Sequence, residues 1–279
     1  MFGALIMYLG GTIVKSDPIL RHSSDGTPYT YFDIQINKPR DNDQRPAPLY
    51  LNCRASKAMA AILCDEAKGA KRGSFVTFTA SLSMKTNSRE VDGVKKEFTD
   101  PIFSVVSNLE IHTKDERDTI FGFAEVFIAG TVSKAPTLCV NKNGVETAFF
   151  DVAINFRTSS RADDSERKRA PLFLKCVANN GRAKQLCHAE RGIREGDNIF
   201  FPASLSISTN EVKGNRVYTD PIFSVVGLIN IKKKAVSEVH PQEQPYQSYD
   251  PNTAKKTTGA NTTYKALPEE EELLTELPF

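Results

Sequence analysis

A chain of 279 residues, 40% hydrophobic and 25% charged, has the composition of a soluble globular protein with room for about two domains. The formal net charge of +2 excludes a uniformly basic protein, yet the charge is unevenly spread. Residues 236–279 hold eight carboxylates against three lysines, a net of about −5, which leaves about +7 on the rest, an asymmetry found in nucleic-acid proteins.

The first predicted element is a strand over 3–14. This apolar run is too short to span a membrane, contains Gly10-Gly11 and lacks signal-peptide flanks, so the expected setting is cytoplasmic with reduced thiols. Turns follow at Asp17-Pro18 and Ser24-Asp25-Gly26. The run Tyr29 to Asn37 alternates, with Phe32, Ile34 and Ile36 on a core face and Tyr31, Asp33 and Gln35 on the other. After a basic, Pro-containing loop over 38–48, Leu49, Leu51 and Cys53 face the core, and Tyr50, Asn52 and Arg54 face away. Residues 56–68 predict a short helix ending near Gly69. A strand from Ser74 to Leu82, a polar loop from Lys85 to Lys96 and a strand from Phe98 to Val106 complete the unit. Pro101 is expected near a strand start or on an edge, because proline has no donor for the ladder.

The chain then repeats itself. The octapeptide TDPIFSVV occurs at 99–106 and again at 219–226. Around it, Gly11-Thr12 matches Gly130-Thr131, Phe32-Asp33 matches Phe150-Asp151, and Cys53 and Cys64 match Cys176 and Cys187. A collinear series of this length implies duplication. It predicts domains at 1–112 and 119–233, with Phe150, Val152, Ile154, Leu172, Leu174 and Cys176 as core. Residues 236–267 are poor in apolar periodicity and are expected to be a disordered linker before a tail at 268–279. Five short strands and one helix per unit fit an all-β fold of two tandem OB-type Greek-key barrels, with other small barrels open on pattern alone.

The stretch Asp17-Pro18-Ile19-Leu20-Arg21, the turn Asp25-Gly26 and the strand Phe32 to Asn37 resemble the bacterial single-stranded DNA-binding protein family. The second unit departs from it, reading Ala135-Pro136-Thr137-Leu138 at the Asp-Pro position. The chain end, Glu269-Glu270-Glu271-Glu272 and then Leu277-Pro278-Phe279, is similar to the acidic, Pro-Phe-ending tail of that family. The resemblance implies two OB-folds per chain and four in the assembly, hence a homodimer. It also implies single-stranded DNA as ligand, a nucleoid-associated setting, and replication or recombination proteins as partners of the tail.

A sequence-tolerant binder of single strands needs aromatic platforms for bases and cations along phosphates. The outward aromatics Tyr31, Tyr50, Phe149 and Phe173 fit the first role. Arg54 and Lys175, and the loop residues Lys38, Arg40, Arg45, Arg157, Arg161, Arg167, Lys168 and Arg169, fit the second. Tryptophan is absent, so Tyr and Phe carry all the stacking. The tail residues Glu269 to Glu272 with Leu277, Pro278 and Phe279 are expected to dock to basic pockets on other proteins. The five cysteines form no C-x-x-C pair, the four histidines are scattered, and Asp33 and Asp151 are solitary, so neither cofactor nor catalysis is expected. An RNA-binding or replication-accessory OB factor, or a nuclease acting on single strands, are the alternative classes.

Overall fold

Most of the described residues lie in strands, and hydrophobic alternation of period two builds the barrel parts of them. The computed structural model describes residues 3–37, 47–91, 93–112, 122–140, 142, 144–155, 171–212 and 216–234. The chain divides into two units, Met1–Lys233 and Lys234–Phe279. Only Lys234 of the second is among the described residues, so the expected linker and tail lie outside them.

The first half runs β1 (Ala4–Val14), β2 (Arg21–His22), β3 (Pro28–Ile36), β4 (Leu49–Ser56), α1 (Ala58–Leu63), β5 (Phe75–Val91) and β6 (Val94–His112). The second half follows with β7 (Phe123–Val140), β8 (Glu146–Ile154), β9 (Leu172–Asn179), α2 (Gly181–Leu186), β10 (Asn198–Val212), β11 (Arg216–Val225) and β12 (Asn230–Lys232). In the first half β1 pairs with β3, β3 with β4, β4 with β6, β6 with β5 and β5 with β1, closing a ring. The β4–β6 pair is parallel and the rest antiparallel. The second half closes in the same order through β7, β8, β9, β11 and β10, with β9–β11 parallel. This strand order is that of a five-stranded Greek-key barrel.

The equivalence extends to single dihedrals. Lys57 and Asn180 occupy matching positions, take φ of 56° and 53°, and turn the chain from strand into helix. Their amides donate to Pro28 O at 2.8 Å and Glu146 O at 2.7 Å. The core residues expected from alternation are buried apart from Leu172, and Phe103 and its copy Phe223 are completely buried with them. Each such side chain contributes on the order of 1.5–3 kcal/mol. Leu172 departs from expectation and is only partly buried, because it sits at the end of its strand.

Two expectations need correction. The predicted helix over 56–68 is shorter, Ala58–Leu63, because the chain leaves it through a tight turn in which Gly69 donates to Asp65 O at 2.9 Å. The predicted polar loop Lys85–Lys96 is instead the outer part of a hairpin, with Ser83 to Val91 opposite Ile102 to Val94 in unbroken register. Most of these side chains are exposed on both faces, so no apolar alternation marks them as strand. Cross-strand contacts hold the arm: Thr86 and Thr99 hydroxyls lie 2.9 Å apart, and the Arg89 guanidinium sits 3.7 Å from the Phe98 ring centroid.

The halves are joined by sheet. β1 and β7 pair antiparallel from Ala4↔Ala129 to Gly10↔Phe123. The β6 arm pairs parallel with β11 at 97–99 against 216–218. Pro101 and Pro221 sit between two short parallel ladders on one edge of their strands. Each follows the contact with the other half and precedes the contact with its own barrel, a gap that requires no proline donor.

Candidate nucleic-acid interface

The second and third strands of each ring, β3 with β4 and β8 with β9, turn their polar faces to solvent because their other faces fill the cores. In β3–β4 the outward residues are Tyr29, Tyr31, Asp33 and Gln35, facing Ser56, Arg54, Asn52 and Tyr50. Register brings Tyr31 opposite Arg54. The Arg54 guanidinium carbon lies 5.5 Å from the Tyr29 ring centroid and 5.9 Å from that of Tyr31. The two rings meet edge to face at 5.8 Å. From β5, Lys85 Nζ reaches 5.3 Å from the Tyr31 centroid and 3.5 Å from its hydroxyl. These are distances at which a cation is attracted by the ring quadrupole.

Tyr50 stands apart, 54% exposed and opposite Gln35, about 13 Å along β4 from Arg54 at strand rise. Between them Asp33 is held by Lys15 at 3.0 Å. The second half repeats the layout with other residues. Phe173 is 61% exposed opposite Ala153, and Phe149 is partly buried opposite Val177. Lys175, opposite Asp151, donates to Asp220 at 2.6 Å, so its charge is compensated in place.

Of the residues expected from sequence, the structure therefore brings Tyr31 and Arg54 together and sets Tyr50 at the far end of the same face. Phe149, Phe173 and Lys175 are spread over the matching face. The loop cations Lys38, Arg40, Arg45, Arg157, Arg161, Arg167, Lys168 and Arg169, and the tail residues Glu269 to Glu272, Leu277, Pro278 and Phe279, lie outside the described residues. Tyr29 and Lys85 were not anticipated. Tyr29 shares the parity of Tyr31 two residues on, a signal present in the sequence. Lys85 carries no such signal, since only the β5–β6 hairpin brings it over β3.

The Asp17-Pro18 turn has a structural task here. The Asp17 carboxylate accepts from the Arg72 amide at 2.6 Å and ties the turn after β1 to the approach to β5. Where the second half has Ala135-Pro136, β7 instead runs on to Val140. Among the described residues no cluster of His, Cys, Asp and Glu is suited to a metal ion, and no helix is long and apolar enough to cross a membrane.

Solved structures with a similar fold exist. The chain is similar to the single-stranded DNA-binding protein from Thermus aquaticus, with a TM-score of 0.59 and 14% identity over 85% of this chain and 97% of that one. A deletion mutant of the same Thermus aquaticus protein matches with a TM-score of 0.55 and 16% identity over 87% of this chain and 99% of that one. The fold is shared. No protein-family model matches the sequence, and no curated protein matches it.

Proposed function

We propose that this protein binds single-stranded DNA without sequence specificity, through two OB-fold domains at 1–112 and 119–233. The observation that carries the reading is the solvent-facing β3–β4 surface, where Tyr29, Tyr31 and Tyr50 alternate with Arg54 beneath Lys85. In OB folds this pair of strands and the connection between the fourth and fifth strands form the oligonucleotide face. Aromatic faces stack on any base, and cations follow the phosphates. In this reading affinity is set by stacking and counterion release rather than by base-edge contacts. The structural likeness to the Thermus aquaticus protein supports the same reading.

Residues 236–267 then act as a linker, and 268–279 as a docking tail for replication, recombination or repair proteins in the cytoplasm. Phe279 inserts as the apolar anchor, and Glu269 to Glu272 meet basic side chains. Pro278 lowers the ordering cost by restricting the chain beforehand. The active species is a homodimer of four barrels. Across β1, β7 and β10, Ile6, Phe127 and Pro202 stand in register on the outer sheet face, with Phe200 beside them. Ile6 is 42% and Phe200 44% exposed, an apolar row suited to isologous sheet-on-sheet packing.

The test is binding of labelled oligo-dT across a salt series, beside duplex DNA and RNA of equal length, with the full chain and a chain lacking 268–279. Tight oligo-dT binding that falls steeply with salt and survives truncation, with loss of partner pull-down, is the expected result. Equal affinity for duplex or RNA, or metal-dependent cleavage of the strand, overturns it.

A further inference from the structure

The two halves share a barrel but not a binding face, and the strand registers show where they differ. Arg21 lies opposite Tyr29 as Cys139 lies opposite Thr147. Tyr31 lies opposite Arg54 as Phe149 lies opposite Val177. Lys85 lies opposite Asp100 as Ser208 lies opposite Asp220. The first half thus holds three cations and two tyrosines where the second holds Cys139, Thr147, Phe149, Val177 and Ser208. In exchange β9 has Lys175 at the place of Asn52, and that lysine is bound to Asp220.

Four of the five first-half residues touch one another. Arg54 rests against both tyrosine rings, and Lys85 approaches Tyr31 from the neighbouring strand. Ring contacts use the flat faces of a guanidinium and leave its N–H edge for acceptors. A phosphate oxygen is the acceptor that matches such a donor edge, and the bond is charge-assisted. A cation and two rings already held in place also lower the ordering cost of binding.

Resting on the single-strand reading above, we infer that Tyr29, Tyr31, Arg54 and Lys85 form one preassembled landing site for a phosphate and its adjoining base. The first half therefore engages the strand before the second. The second half supplies stacking area through Phe149 and Phe173, and its β8–β9 face adds only a cation already paired.

The absence of tryptophan makes the order measurable. Tyr50→Trp and Phe173→Trp, made separately in the full chain, place one fluorophore at equivalent exposed positions outside the four-residue assembly. Titration with oligo-dT of about 8 nucleotides, a length within one barrel's reach, is expected to move the Tyr50→Trp signal at about tenfold lower concentration. Adding Arg54→Ala to each reporter is expected to close that gap by shifting the Tyr50→Trp midpoint alone. Lys85→Ala, at an exposed position that burdens no core, is expected to shift it in the same direction by less. Coincident midpoints, an earlier Phe173→Trp response, or midpoints that neither substitution moves would overturn the landing site while leaving single-strand binding intact. A wild-type chain that fails to bind oligo-dT by anisotropy would instead remove the single-strand reading, and the landing site with it.

Discussion

Met7 and Val126 stand directly opposite each other in the β1–β7 ladder, and they are the same position of the two repeat copies. The ladder is therefore symmetric about this pair, with Ala4 opposite Ala129 and Gly10 opposite Phe123. Both residues are fully buried, and the apolar core around them runs through both halves without a break. Gly10 leaves room for this pairing: a Cβ there would fall 2.4 Å from the Phe123 ring. The matching Gly3 and Gly122 lie against Asn155 and Asn37, so each half begins under the other half's second strand.

A shared ladder and core predict that the halves unfold together. Differential scanning calorimetry of the full chain is expected to give one transition, with calorimetric and van't Hoff enthalpies in agreement. Two separated transitions would mean that the ladder couples the halves too weakly to matter.

The turns after α1 and α2 have no room for a side chain. A Cβ on Gly69 would lie 2.3 Å from Asp65 O, and one on Gly192 would lie 2.2 Å from Leu186 O, both against backbone that cannot swing away. Gly192→Ala is expected to cost about 1–3 kcal/mol, the range for overpacking, read as a lower urea midpoint. An unchanged midpoint would show that this turn relaxes freely.

Charge pairs should rank by burial. Arg216 and Glu97 bridge the two halves at 3.2 Å, but their side chains are 59% and 48% exposed, so Glu97→Ala is expected to cost below about 1 kcal/mol. Asp197 is 3% exposed and accepts from the Arg194 amide at 2.9 Å and from Lys233 at 3.1 Å. Asp197→Ala removes a buried carboxylate that accepts two part-buried hydrogen bonds and is expected to cost about 1–3 kcal/mol. Urea titrations that reverse this order would refute the ranking.

Burial pushes the Cys53 and Cys176 thiols well above their usual range, with help from the Asp33 and Asp151 carboxylates. Because the native state favours the neutral thiol, this contribution to stability is complete below the unfolded value near 9.0 and is lost as pH rises beyond it. Thiol labelling with a disulfide reagent near pH 8 should spare these two cysteines in the native protein and reach all five in denaturant. Native labelling of Cys53 or Cys176 would contradict their placement.

The Asp25 carboxylate accepts from the Ser23 hydroxyl, and from the amide and hydroxyl of Thr27 at 3.1 Å and 3.0 Å. These bonds hold its pKa at about 2, against an ordinary 3.8. A depressed carboxylate stabilises the turn above its unfolded value, and that support disappears as pH falls from about 4 through 2. The Thr27 amide shift followed by NMR is expected to titrate near the lower value; a midpoint at the ordinary one would show an unbonded carboxylate.

The amino-acid sequence by itself determined the duplication, the five core strands of each copy and the outward placing of Tyr31, Tyr50, Arg54, Phe149 and Phe173. Each follows from period-two alternation or direct repetition, and both are local properties of a chain. Only tertiary structure decided the rest. The β5–β6 arm is polar on both faces, so pairing across the hairpin, not burial, makes it a strand and carries Lys85 over Tyr31. The β1–β7 pairing joins segments more than a hundred residues apart, and no local pattern distinguishes it from two separate barrels. The inequality of the two faces lay in the sequence as isolated substitutions. It became legible when strand register set Arg21, Tyr29, Tyr31, Arg54 and Lys85 against Cys139, Thr147, Phe149, Val177 and Ser208, because register alone says which side chains stand opposite one another.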